Sequence, residues 1–174
     1  MPTMDFEGQV ERTLKHIENS EQIHPENADR IHAYRRYMLL SDISAAQQQK
    51  LMAHLKIIAE QVGQRRFEDL TKEDIEELVA WLYTRGTADS TVIDYKQAIK
   101  QFWKWMNGGE APPETEWIRK GASPYRRLLP HQLLTPDDVQ QLIDTSGNER
   151  DQAFIAILWE TGARIGELID LTVG

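Results

Sequence analysis

Helical periodicity is the feature that most constrains the fold of this chain. Through residues 1–107, apolar side chains recur at three- and four-residue spacing, and no alternation typical of β-strands interrupts them. The spacing predicts five helices, over residues 4–19, 26–42, 45–62, 72–85 and 90–107. Because no strand pattern appears elsewhere in the chain either, we expect an all-α protein.

Polar residues and glycines mark where these helices begin and end. Thr71, followed three residues later by Asp74, predicts a capping box at the start of the fourth helix. Gly63 stands after the third helix, where a left-handed residue commonly ends a helix. The other predicted N-terminal caps are Asn27, Ser44 and either Asp89 or Ser90.

The composition changes between residues 111 and 133. Prolines interrupt this segment repeatedly, and no acidic residue lies between Arg119 and Pro136. It is predicted to be a linker between a helical domain, residues 1–110, and a second domain, residues 134–174. The segment is either a flexible connection only or a strap that crosses a DNA backbone. Its positive charge, with no acidic residue beyond Arg119 to offset it, favours the strap. Its cations are Arg119, Lys120, Arg126 and Arg127.

The second domain is predicted to begin with a helix that has a strong start signal. Thr135 provides the N-terminal cap and Pro136 the first helical residue, ahead of acidic side chains in the first turn. The residues of this helix predicted to face inward are Val139, Leu142 and Ile143.

Arg164 lies between two further helical segments. An apolar helix over residues 152–159 leads to Gly162, and an apolar stripe resumes at Ile165, so we expect packing on both sides to hold Arg164. A guanidinium fixed in this way suits bidentate recognition of a phosphate. The alternative is an ordinary solvated arginine whose pairing with Glu167 contributes little energy.

The fifth helix has the pattern that points to nucleic acid. Opposite its apolar face, lysines recur at i, i+4 and i+8 beside glutamines, a set that offers phosphate contacts and hydrogen bonds to base edges. The alternative is a solvated outer face. Further candidates are the hydroxyl of Thr91 near the helix start, and Arg35 and Arg36 on the second helix. The outward residues of the fifth helix are Lys96, Gln97, Lys100, Gln101 and Lys104.

Composition narrows the classes of function. The chain has 20 Lys and Arg against 28 Asp and Glu, and a net charge of −8 argues against nonspecific nucleic-acid affinity for the surface as a whole. An acidic protein that still binds DNA fits a salt-loving, archaeal or halophilic host. The lack of cysteine excludes a disulfide scaffold and thiol chemistry. Because neither a signal peptide nor a membrane-spanning apolar run is present, we expect no membrane partner and a cytoplasmic location.

The segment from Thr161 to Thr172, TGARIGELIDLT, resembles the first active-site box of the tyrosine recombinases. This family includes the phage integrases and the Xer-like recombinases that resolve chromosome dimers. Its box reads roughly T-G-x-R-x-x-E-L-x-x-L. The residues that fall in register are Thr161, Gly162, Arg164, Glu167, Leu168 and Leu171.

The resemblance covers nearly the whole chain and implies its architecture. Family members have an N-terminal, SAM-like core-binding domain of four or five helices, then a linker, then a catalytic domain that opens with an L-T-P-x-x-V-x-x-L-I helix. Here that helix spans Leu134 to Ile143. Residues 1–110 are then expected to bind DNA, and residues 134–174 to form the first helices of an incomplete catalytic domain.

The chemistry of the family implies roles for single residues. A tyrosine attacks a DNA phosphodiester, and two arginines stabilise the charge that builds on the phosphate. By this resemblance Arg164 is a phosphate clamp and Glu167 a supporting, structural residue. No metal or other cofactor is expected. The implied partners are double-stranded DNA and other recombinase protomers, without a small-molecule substrate, which places the protein at the nucleoid.

The sequence departs from the family pattern in its reactive groups. Every tyrosine precedes Arg164, and no Lys, His, Arg or Tyr follows it. We therefore expect the chain to be truncated after the first arginine box and unable to cleave DNA. Two other functions remain open, a non-catalytic DNA-binding regulator of a recombinase and an acidic helical protein-interaction domain.

Overall fold

The computed structural model describes residues 5–119 and 133–169. Within these ranges the regular structure consists of nine α-helices and one 3₁₀ turn, with no strand, which confirms the prediction of an all-α protein. The chain divides into two compact units, Met1–Pro124 and Tyr125–Gly174. The assignment of these units to functional domains stays a prediction.

Five long helices build the first unit, and each corresponds to one of the five predicted from the sequence. Their bounds are α1 Phe6–Glu18, α2 Pro25–Leu40, α3 Ala45–Val62, α4 Lys72–Thr84 and α5 Asp89–Met106. A 3₁₀ turn, Phe67–Asp69, precedes α4, and the short helix α6, Pro113–Glu116, follows α5.

Three of the predicted signals for helix starts and ends are confirmed. Ser44 caps α3, since its hydroxyl accepts a hydrogen bond from a backbone N–H of the first turn. Thr71 and Asp74 form the capping box of α4, in which each side chain accepts from the backbone N–H of the other. Gly63 ends α3 with a φ of 70°, in the left-handed region that side chains disfavour.

The core lies where the apolar faces of α1 to α5 meet. α1 packs mainly against α3, which also contacts α2, α4 and α5. Phe67, in the 3₁₀ turn, packs edge to face against Phe102 and Trp103 of α5, with ring centroids 5.3 Å apart in both pairs. Phe67 and Phe102 are at most 1% exposed. Burial of each such ring contributes about 2 kcal/mol, so these contacts fix the rotation of α5 about its axis.

Asn27 does not cap α2, and that prediction was wrong. His24 occupies the N-cap position, and Pro25 begins the helix. Asn27 is instead 1% exposed; its Nδ2 donates to the carbonyl oxygen of Arg65 at 2.8 Å, and its Oδ1 accepts from the N–H of Phe67 at 2.8 Å. This side chain therefore joins α2 to the segment between α3 and α4 and holds Phe67 in position.

The first part of the predicted linker packs against the first unit. α6 contacts α4 and α5, and Thr115 and Ile118 are at most 2% exposed. Burial of an isoleucine stabilises such a segment by about 2 kcal/mol, which overrides the flexibility expected from the neighbouring prolines. The packing of the first unit therefore continues past residue 110 to at least Ile118, and the domain boundaries stay a prediction.

The described part of the second unit, residues 133–169, has three helices. Their bounds are α7 Pro136–Thr145, α8 Glu149–Thr161 and α9 Ile165–Ile169. The N-terminal cap predicted at Thr135 is confirmed and forms a capping box with Asp138, and Gly162 ends α8 at a φ of 62°. Within this range α7 packs against α8 and only Val139 is buried. Leu142, predicted to face inward, is 46% exposed because a pair of helices covers only a narrow stripe of each.

Replacing Asn27 with alanine is expected to destabilise the first unit by about 3 kcal/mol, because the partly buried carbonyl of Arg65 and the buried N–H of Phe67 lose their partner. The matched control is Asn19→Ala, which removes an exposed amide that bonds only one turn back, to the carbonyl of Lys15. The control is expected to cost less than about 1 kcal/mol. Urea unfolding followed by circular dichroism measures both, and equal losses would contradict the role given to Asn27.

Candidate nucleic-acid interface

α5 has one buried face and one outward face. The buried or partly buried residues are those that the periodicity predicted, namely Val92, Tyr95, Ile99, Phe102, Trp103 and Met106. On the other face, Gln97, Gln101 and Lys104 are exposed and Lys96 is half-buried. We call the four residues Lys96, Gln97, Gln101 and Lys104 the α5 surface.

Lys100 does not belong to this surface, although the sequence placed it there. Its side chain is half-buried, and its Nζ donates to the carbonyl oxygen of Ile118 at 2.9 Å. The ammonium group thus satisfies a backbone acceptor and holds the segment after α6 against α5. Because a lysine used in this way is not available to a phosphate, the predicted stripe of three lysines reduces to Lys96 and Lys104.

The two lysines of the α5 surface form no ion pair within the described residues. Other lysines of the first unit do: Lys50 pairs with Asp94 of α5 at 2.8 Å, and Lys56 pairs with Glu60 at the same distance. The charges of the α5 surface are therefore free to meet an anionic partner, in a chain whose net charge is −8.

The first turn of α5 has no side-chain cap. Ala88 precedes Asp89 at the start of the helix, so the prediction of Asp89 or Ser90 as the cap was wrong. Thr91, a predicted contact residue, lies half-buried in this turn. The uncapped N–H groups favour a phosphate, whereas the charge of Asp89 in the same turn opposes one.

Arg85 was missed in the sequence. Its guanidinium carbon lies 5.0 Å from the ring centroid of Trp81 and 5.5 Å from that of Tyr95, and its Nη1 donates to the Tyr95 hydroxyl at 3.0 Å. These contacts place a cation beside the first turns of α5 and join that helix to α4. No local sequence signal reveals them, because they depend on how α4 packs against α5.

Tyr95 also contacts a histidine on its other neighbour, α3. The ring centroids of His54 and Tyr95 are 4.3 Å apart. Burial lowers the pKa of His54, although the nearby Asp94 carboxylate acts in the opposite direction. Because its pKa is lowered, His54 is neutral near pH 7 and adds no positive charge beside Tyr95.

The remaining predicted cations differ in their surroundings. Arg36 and Arg119 are exposed. Arg35 is half-buried, and its buried Nε lacks a hydrogen-bond partner within the described residues. It lines a small pocket that Glu7 and Asp42 also line. Lys120, Arg126 and Arg127 lie outside the described residues, so the strap across DNA stays a prediction.

Arg164 is exposed, and the expectation that packing holds it on both sides was wrong. Its side chain is 88% exposed because α9 has no buried residue; Ile165 and Ile169 are each 57% exposed. Glu167 contacts it instead. One oxygen accepts from the guanidinium of Arg164 at 3.1 Å, and the other accepts from its backbone N–H at 3.0 Å. A surface pair of this kind orients the arginine but contributes at most about 1 kcal/mol.

Two other kinds of site are not found among the described residues. No helix in these ranges combines the length and the apolar character that crossing a membrane requires. The same ranges place no three His, Asp or Glu side chains where they would share a metal ion.

Several curated proteins that are named tyrosine recombinases match part of this chain. "Tyrosine recombinase XerC" of Roseiflexus sp. (strain RS-1) is 31% identical over 117 residues, which cover 64% of this chain and 37% of that protein. The protein of the same name from Roseiflexus castenholzii is 31% identical over 119 residues, 64% of this chain and 38% of its own length. "Tyrosine recombinase XerD" of Listeria innocua is 27% identical over 109 residues, 60% of this chain and 36% of its own length.

The chain thus matches less than two fifths of the length of each of these relatives. No family model matches it, and no solved structure matches it either.

Because Lys100 is hydrogen-bonded to Ile118 and Lys104 is exposed, replacing each with methionine is expected to change the stability of the first unit by different amounts. Lys100→Met is expected to lower the free energy of unfolding of the first unit by about 1.5 kcal/mol, because the Ile118 carbonyl loses a charged donor. Lys104→Met, on the exposed face, is expected to change it by less than about 0.5 kcal/mol. Urea unfolding of both variants measures the difference, and matching values would argue against the bond to Ile118.

Proposed function

Since this chain is a relative of the tyrosine recombinases, we propose that its first unit binds double-stranded DNA as the DNA-binding part of a site-specific recombinase. The contact is made by the α5 surface. The observation behind this proposal is that Lys96 and Lys104 have no acidic partner within the described residues and lie on the outward face of a helix whose other face is packed into the core. A DNA ligand of this kind places the protein at the nucleoid.

The spacing of the two lysines suits a DNA groove. They are eight residues apart on a continuous helix, which corresponds to about 12 Å along its axis. A major groove is about 12 Å wide, so the two ammonium groups are able to reach phosphates on its opposite sides. Gln97 and Gln101 then lie between them, with amide groups that donate to and accept from base edges.

Arg85 extends the positive charge of the α5 surface toward the start of the helix. Its aromatic contacts with Trp81 and Tyr95 restrict its side chain, so less entropy is lost when it binds a phosphate. The uncapped first turn of α5 lies at the same end. A backbone phosphate near Thr91 would therefore meet N–H groups and a preorganised guanidinium.

We assign to Arg164 the role of a phosphate ligand in the recombination reaction. Its exposure and its orientation by Glu167 support this assignment, together with the resemblance of the segment around it. None of the tyrosines in the described ranges is assigned as the nucleophile: Tyr34 and Tyr95 are buried, and Tyr37 and Tyr83 lie on the helices of the first unit. Tyr125 lies outside these ranges. The described residues are accordingly proposed to bind DNA without cleaving it.

The double variant Lys96→Gln/Lys104→Gln is expected to bind a short DNA duplex more weakly than the wild type. Each lysine that neutralises a phosphate releases counterions, so the slope of log affinity against log salt is expected to fall by about 2. Fluorescence anisotropy with a labelled duplex, repeated from about 50 to 200 mM salt, measures this slope.

The matched control is Lys15→Gln/Lys72→Gln, which makes the same change of charge on α1 and α4. Its slope is expected to equal that of the wild type. An unchanged slope in the α5 variant would exclude the α5 surface as the contact. A wild-type chain that binds no duplex even at the lowest salt would favour the acidic protein-interaction domain instead.

A further inference from the structure

A groove of about 700 Å³ lies between the end of α2, the start of α3 and the end of α5. Three of its lining residues are aromatic, Tyr34, Tyr37 and Trp105. The rings of Tyr34 and Tyr37 are 13° from parallel with centroids 6.0 Å apart, and Trp105 lies 5.0 Å from the first and 6.1 Å from the second. Its volume is that of a typical ligand pocket.

The inner part of this aromatic group is rigid, and its outer part faces solvent. Tyr34 is 4% exposed and packs edge to face against Phe102, with centroids 5.2 Å apart. Burial and the neighbouring Tyr37 raise the pKa of Tyr34 to about 12, so its hydroxyl keeps its proton. Tyr37, by contrast, is 47% exposed. The groove therefore offers a preorganised aromatic surface to a ligand.

The polar residues of the groove are neutral or basic. Gln47 of α3 joins Gln101 and Lys104 of α5, and no Asp or Glu is among the lining residues. This is notable in a chain with 28 acidic residues. Because Gln101 and Lys104 also belong to the α5 surface, the groove is continuous with the proposed site of duplex binding.

We propose that the groove binds an unpaired nucleotide of DNA, whose base stacks on Tyr37 and Trp105 while its phosphate contacts Lys104. A planar base attached to an anionic phosphate matches solvent-accessible aromatic rings beside an ammonium group better than an aliphatic side chain does, and the ring centroids of Tyr37 and Trp105 lie 6.1 Å apart, with the rings tilted by 39°. Such stacking accepts any base, and the amides of Gln47 and Gln101 are able to bond its edge. This inference rests on the proposed function, since it extends duplex binding to a base displaced from the duplex.

The test compares a labelled, fully paired duplex with the same duplex containing an unpaired adenine bulge, by fluorescence anisotropy at one salt concentration. The wild type is expected to bind the bulged DNA about tenfold more tightly, the advantage of one base–aromatic stack. In Tyr37→Leu this advantage is expected to disappear while the affinity for the paired duplex stays the same.

Two further variants separate the groove from general effects. Tyr83→Leu removes another exposed tyrosine, on α4 and outside the groove, and is expected to keep the preference for bulged DNA. Gln47→Glu leaves all the rings in place but adds a negative charge to the groove that would hold an anionic nucleotide, and is expected to reduce the preference. Thermal unfolding of each variant confirms that the fold is retained.

The outcomes distinguish this proposal from the proposed function. If the wild type binds both DNAs with equal, salt-dependent affinity, the proposal that the groove binds a nucleotide is overturned. The proposal that the α5 surface binds duplex DNA then still stands. A preference that survives both Tyr37→Leu and Gln47→Glu also overturns the groove as a nucleotide site. If the wild type binds neither DNA, both proposals fail. If Tyr37→Leu changes only the sedimentation of the free protein, the groove binds a second copy of the chain, and the nucleotide is excluded.

Discussion

The packing of Phe67 against Phe102 and Trp103 is the contact on which the arrangement of the first unit depends. The rings are buried, and their edge-to-face geometry leaves α5 one orientation about its axis. Asn27 secures the same contact from the other side, because it binds the backbone N–H of Phe67. An interaction in the core thus determines which residues of α5 face solvent, and with them the position of Lys96 and Lys104.

The distribution of charge explains how so acidic a chain is able to offer a basic surface, the one proposed to contact DNA. Lys50 and Lys56 pair with neighbouring carboxylates, and the ammonium group of Lys100 donates to a backbone carbonyl, whereas Lys96 and Lys104 have no acidic partner within the described ranges. Because the net charge of the chain is −8, the proposed attraction of a polyanion depends on where unpaired cations cluster. Affinity that depends on few phosphate contacts is modest, so in the proposed complex hydrogen bonds and the aromatic rings of the groove would set the orientation of the DNA.

The helices were predictable from local signals in the sequence, whereas contacts between distant segments were not predictable from it. The capping boxes at Thr71 and Thr135 depend on residues within one turn, so their pattern is legible in the chain. The roles of Asn27 and Lys100 depend on backbone groups of Phe67 and Ile118, which only the tertiary fold brings near. Arg164 was misjudged for a related reason: an apolar stripe predicts burial only where another element covers it. The α5 surface was predictable from the helical periodicity. The exception is Lys100, which the periodicity places on the same face but which donates to the carbonyl of Ile118.

Backbone-amide NMR of the chain, titrated with a short DNA duplex, tests directly whether the α5 surface contacts DNA. Binding through this surface predicts that the largest chemical-shift changes lie along the outward face of α5, at Lys96, Gln97, Gln101 and Lys104, and that they fade as salt is raised. Changes centred on α1 or on the second unit, with α5 unaffected at low salt, would contradict it.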